Sequence, residues 1–155
     1  MHDTMEKKTV LNTDVAAVHA AMRTASASDA LQGNSMAVML GARIVEARKD
    51  FVAMEFAPAE NLLQGAGVLQ GGAVTAMLDF AMAFATLTSV SSDGSCGTVS
   101  LNVSFLRPAE LGQYRAEGRI ERRGRTIVFA NARLLLNGTN SPIATATSVL
   151  VTREG

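Results

Sequence analysis

One carboxylate stands alone in the most apolar part of this chain. Asp79 is the only charged residue between Glu60 and Asp93, and GVLQGGAVTAMLDFAMA, from Gly67 to Ala83, reads as an apolar helix around it. A carboxylate in such a place must be paired, hydrogen-bonded or protonated. No Lys or Arg lies within a helical turn of it. Two uses are open. One is structural: a salt bridge to a distant arginine, or a helix facing a wet cleft. The other is chemical: a general base or nucleophile held in a dry pocket. Eight residues upstream stands Gly71-Gly72. Glycine costs a helix interior about 1 kcal/mol relative to alanine, but it leaves backbone N–H groups open to close approach. A helix N-terminus adds unsatisfied donors and partial positive charge. LQGGA is therefore either an oxyanion hole for a carbonyl that turns negative, or a tight turn with close helix–sheet packing.

The remaining reactive residues narrow the chemistry. The only histidines, His2 and His19, lie in the N-terminal tail and first helix. A Ser-His-Asp triad near Gly71 is not expected. Cys96 is the one cysteine. It forms no internal disulfide, fits a reducing compartment and reads as a small packed residue without a base. No His, Cys and carboxylate cluster has metal-ligand spacing, so no metal is expected.

The elements that must position these groups follow from composition and pattern. The chain has 155 residues, 48% hydrophobic and 18% charged, with zero formal net charge. These values suit one domain over 1–155 with a sizeable core and argue against a nucleic-acid binder. The polar start MHDTMEKKTVLNTD has no apolar signal core, so a cytoplasmic protein is expected. The stretch Gly65–Val90 is apolar enough to test as a membrane span. Asp79 near its centre would cost roughly 2.5–3.5 kcal/mol there, so a buried helix is expected.

Residues 1–12 read as a loose tail and 14–31 as an N-terminal helical segment, with Val15, Val18 and Met22 on one face and loop-like residues from Ser26. MAVMLGARIVEA and FVAMEFAP read as strands joined at Lys49-Asp50. A helix is expected from about Gly72 to about Val90, and four strands after it. In TVSLNVSFL, Val99, Leu101, Val103 and Phe105 are expected on one face and Thr98, Ser100, Asn102 and Ser104 on the other. Asn137-Gly138 is a hairpin signal. The order predicts an α+β protein whose mainly antiparallel sheet covers a long central helix. Ile127, Phe129 and Leu135 are expected to leave an apolar patch on the other face.

NLLQGAGVLQGGAVTAMLDFAMAFA, VSLNVSFLRPAELG and RRGRTIVFANARL together resemble hotdog-fold acyl-CoA thioesterases, in the phenylacetate-degradation branch. The resemblance implies a hotdog fold, a homodimer or homotetramer with sites between subunits, and no cofactor other than the coenzyme A of the substrate. It implies that the Gly71 N–H polarises the thioester carbonyl. Asp79, from the partner subunit, would activate water or attack the carbonyl, and Thr98 would position the carboxylate or water. Gln70 stands where many relatives have His, and it cannot titrate. The spacing from Asn61 to the glycine pair is longer than in several relatives, so Asn61 and Gln64 are rivals for the polar place beside the thioester. Gly72 and Phe80 are expected to border the substrate. Coenzyme A phosphates call for positive charge, for which Arg107, Arg122, Arg123 and Arg125 are candidates; the last three also fit a solvated hairpin tip. Met77, Phe80, Met82 and Phe84 are candidates for an acyl slot or for plain core. A hotdog dehydratase or hydratase is disfavoured because no His stands near the motif. A non-catalytic acyl-ligand-binding protein has little reason to keep Asp79.

Overall fold

The computed structural model describes residues 11–155; most of the expected tail, and His2, lie outside the described residues. Helix α1 spans Thr13–Thr24, and the Asn12 side chain caps it by accepting from the N–H groups of Asp14 and Val15. The helical segment expected over 14–31 is shorter than that. Ala25 turns left-handed, with φ 49°, ahead of the run Ser26-Ala27-Ser28-Asp29, whose side chains favour bonding nearby backbone over continuing a helix. Ser28 N–H and Leu31 N–H instead donate to Ile44 and Ala42 carbonyls.

The strand expected from Met36 is also corrected. Asn34 caps a short helix α2, Ser35–Met39, by accepting from the Met36 and Ala37 N–H groups. Strand β1 begins only at Arg43 and runs to Arg48; β2 follows over Phe51–Phe56. Asp50 makes their turn with φ 61°. A 3-10 turn, Glu60–Leu62, leads to the central helix α3, Gly71–Leu87. The remaining strands are β3 (Ser95–Phe105), β4 (Tyr114–Arg123), β5 (Ile127–Leu136) and β6 (Pro142–Arg153).

All strand pairs are antiparallel in the order β1-β2-β4-β5-β6-β3. Helix α3 lies on the inner face, with Met77, Leu78, Ala81, Met82 and Ala85 fully buried. Met77 and Met82 are thus core and not an acyl slot. The helix approaches β4 so closely that a Cβ on Gly118 would stand 2.1 Å from the Ala81 carbonyl oxygen. Only glycine allows that contact. Among the described residues no helix is long and apolar enough to cross a membrane.

Two register irregularities change which side chains face where. The β3–β6 pairing passes from Thr98↔Leu150 to Ser100↔Val149, leaving Val99 as a bulge. Leu150, Ser148, Ala146 and Ala144 point inward and are buried, so their partners Thr98, Leu101, Val103 and Phe105 all face α3. The strict alternation expected for this strand, with Thr98 opposite Leu101, does not hold because the extra residue resets the phase. In β5 a shift between Leu134 and Leu135 buries Leu135 and exposes Leu136. The expected outer patch therefore keeps Ile127 and Phe129 but not Leu135.

Candidate active site

The face of α3 bearing Ala76, Asp79, Phe80, Ala83 and Leu87 borders a cavity of about 300 Å³. These positions recur at helical three- and four-residue spacing. Cys96 and Thr98 of β3 also line it, as do Asn12, Asp14, Asn34 and Met36 from α1, α2 and their caps. Phe80 packs at 5.8 Å from Phe84 and 6.5 Å from Phe56, ring centre to ring centre. The cavity is therefore aromatic and aliphatic along the helix and polar at the α1 end.

Asp79 is half-buried. Thr98 Oγ1 donates to its Oδ1 at 2.8 Å. None of the ion pairs among the described residues includes Asp79. The lone carboxylate is held by one hydroxyl and faces a cavity, the setting of a base or nucleophile more than of a structural ion pair. Cys96 stands beside it with Sγ 3.7 Å from the Ala83 carbonyl oxygen. Burial, then the charges of Asp79 and Asp14, push its thiol up to about 12, against a smaller opposing pull from Arg123. A thiol so raised is protonated at neutral pH and is no nucleophile. Among the described residues no three His, Cys, Asp or Glu side chains gather for a metal ion.

The glycine pair opens α3 at its exposed end. A Cβ on Gly71 would meet Phe105 at an ordinary 3.4 Å, and one on Gly72 would meet nothing within 4 Å. Close packing inside the chain therefore does not require them. The Gly71 and Gly72 N–H groups precede any intrahelical acceptor and find no backbone partner among the described residues. They are donors facing outward.

Gln70 lies exposed at the N-cap; its carbonyl accepts from Ala73 and Val74 N–H while its side chain caps nothing. Asn61 is exposed on the 3-10 turn, which meets the helix start through Gln70 N–H donating to Leu62 O at 2.9 Å. Gln64 is partly committed, since its Oε1 accepts from Ala66 N–H at 2.8 Å. Arg107 is exposed two residues beyond Phe105, on the Gly71 side of the molecule. Arg123 is at the other end, where it donates to Asp50 at 2.7 Å and to the Thr86 carbonyl at 3.2 Å. It clamps the β1–β2 turn to the end of α3. Arg122 and Arg125 are exposed and enter no ion pair among the described residues. No local pattern points to Asp14, Asn34 or Met36, which reach the cavity only through the packing of α1 and α2.

A long helix packed against a six-stranded antiparallel sheet is the hotdog fold of thioesterases. Residues 66–141 match the family described as Thioesterase superfamily. The chain is similar to a phenylacetic acid degradation-related protein of Ralstonia eutropha JMP134, with 32% identity and a TM-score of 0.72 over 78% of this chain and 92% of that one. It is also similar to a thioesterase family protein of Silicibacter pomeroyi, with 28% identity and a TM-score of 0.73 over 92% of this chain and 98% of that one. A candidate esterase of Saccharolobus solfataricus shares 28% identity over 89 residues, 57% of this chain and 63% of that protein. The chain thus spans under two thirds of that curated relative's length. The chain belongs to the thioesterase superfamily.

Proposed function

We propose that the protein hydrolyses acyl-CoA thioesters at sites built from two copies of the chain. One observation carries this. Asp79, held by Thr98 of β3, and the open Gly71 N–H lie on the same helix, eight residues apart. At 1.5 Å rise per residue that is roughly 12 Å. A carbonyl within hydrogen-bond reach of Gly71, about 3 Å, is out of reach of Asp79 of the same chain. A second copy brings the two together. Strand β3 is an edge of the sheet, with Val99 and Phe105 more than half exposed, and an unpaired edge of this length favours pairing.

In that site the thioester carbonyl oxygen accepts from Gly71 N–H of one copy. Asp79 of the other removes a proton from water, whose oxygen attacks the carbonyl carbon. The tetrahedral oxyanion is held at the helix N-terminus. It collapses as the C–S bond breaks, and the CoA thiolate leaves and takes a proton from the Asp79 carboxylic acid. The free acid remains. A thiolate of pKa near 8.5 is a good leaving group, so a site with no His among its described lining residues can work. If Asp79 attacks directly, an anhydride forms and water opens it, with the same products. Label from ¹⁸O water appearing in the Asp79 carboxyl would establish that route.

Gln70, Asn61 and Gln64 supply polar groups beside the thioester, and Arg107 and Arg125 are the candidates for CoA phosphates. The chemistry needs no cofactor beyond the substrate's own coenzyme A, and the lone Cys96 suits the cytoplasm. The test is thiol release from short, long and aryl acyl-CoAs. Cleavage that disappears in Asp79→Asn supports the proposal. No cleavage of any acyl-CoA by the wild type overturns it and favours a ligand-binding role.

A further inference from the structure

The cavity beside Asp79 is unusual in its charge. Two carboxylates, Asp79 and Asp14, line it, and no Lys, Arg or His does so among the described residues. Asp14 is half-buried in the first turn of α1, and the only partner of its side chain among the described residues is Asn34 Nδ2 at 3.3 Å. Asn34 and Asn12 are themselves occupied as helix caps. Both carboxylate charges are felt at Cys96 in the cavity wall, while the one opposing cation felt there, Arg123, is tied to Asp50. At about 300 Å³ the cavity also stands at the small end of ligand sites.

An acyl group that enters this cavity with its carbonyl at Asp79 runs beside Phe80, Ala83 and Phe84, with Cys96 and Thr98 of β3 also lining the space. Asp14 lines the same cavity from the first turn of α1. From this we propose that Asp14 is a specificity-determining residue that makes the enzyme select uncharged acyl groups and reject acyl groups ending in a carboxylate. The inference rests on the thioesterase function proposed above. Its physical basis is repulsion. An ω-carboxylate driven into the cavity meets a like charge where water screens poorly, and it leaves its hydration with no cation among the described lining residues to replace it. Discrimination then comes from a built-in unfavourable contact with the wrong substrate, a common device of specificity.

The experiment compares hexanoyl-CoA with adipoyl-CoA, which differ in the terminal carboxylate at equal chain length. The readout is the ratio of their kcat/KM values, measured for wild type, Asp14→Asn and Asp14→Glu. Asp14→Asn keeps an acceptor for Asn34 and the polar first turn of α1, and its thermal unfolding midpoint verifies the fold. The expected result is a wild-type preference for hexanoyl-CoA of roughly a hundredfold. It narrows by on the order of tenfold in Asp14→Asn and persists in Asp14→Glu. A wild type that cleaves both substrates equally would overturn the inference, as would an unchanged ratio in Asp14→Asn. Loss of thiol release from hexanoyl-CoA and from every other acyl-CoA would overturn hydrolysis itself, which is a different failure.

Discussion

Thr98 Oγ1 donates to Asp79 Oδ1 at 2.8 Å because Val99, the next residue, is bulged out of the β3–β6 ladder. Before the bulge Thr98 points at α3; after it Leu101, Val103 and Phe105 do so as well. A single extra residue therefore places a hydroxyl beside the carboxylate without surrendering the apolar face that covers the helix. Thr98→Val should keep the fold and lower kcat by roughly ten- to a hundredfold, since a hydrogen bond to a charged group contributes about 1.5–3 kcal/mol. Thr98→Ser should retain most activity. Steady-state kinetics of the two variants checks this, and equal losses in both would sink the hydroxyl's role.

Asp79→Asn removes the proton acceptor and keeps the side chain's shape and its bond to Thr98. Turnover should fall by about 10²–10⁴-fold, with acyl-CoA affinity within a few-fold of wild type. Isothermal titration with a non-hydrolysable acyl-CoA thioether measures the second quantity.

Gly118 is where α3 passes over the sheet. Gly118→Ala drives a Cβ to 2.1 Å from the Ala81 backbone oxygen, so the helix must shift. A destabilisation of about 3 kcal/mol is expected, read as a drop of roughly 6–12 °C in thermal midpoint. A midpoint unchanged within two degrees would contradict the close approach.

Glu117 organises the outer face of the sheet. It pairs with Arg115 at 3.2 Å and Arg133 at 2.9 Å, its side chain only 12% exposed. Burial pushes its carboxyl up, but the hydrogen bonds and charges of Arg133 and Arg115 outweigh this and hold it below the usual carboxylate range. A carboxyl lowered by folding stabilises the protein above its ordinary pKa, and that stability is lost as pH falls through the folded value. Denaturant titrations should show stability declining from about pH 4.5 downward, and Glu117→Gln should flatten part of that decline.

Cys96 should resist alkylation. With its thiol pushed up to about 12, the reactive thiolate is scarce at pH 8. Iodoacetamide should label the folded protein roughly a hundredfold or more slowly than a free cysteine and label the urea-unfolded chain at the ordinary rate. Fast labelling of the folded state would show that the cavity wall opens.

Much of the architecture was legible along the chain. The apolar run around Asp79, the turn residues and the alternating later strands are local patterns, and they dictate a buried helix under an antiparallel sheet. Asp79 and the Gly71-Gly72 pair were legible for the same reason, because each violates its local context. The N-terminal third was harder. Asn12 and Asn34 decide where α1 and α2 begin, and their caps override the strand-like look of Met36 to Leu40.

By itself the sequence determined the periodicities, the isolated carboxylate and the bare helix start, since these depend on neighbours a few residues apart. Only the tertiary structure decided which residues share the cavity. Asp14 and Asp79 are 65 positions apart in the chain and line one space, and Thr98 turns toward Asp79 only through a bulge in a long-range ladder. Register and packing are set by contacts distant in sequence, so no local pattern carries them.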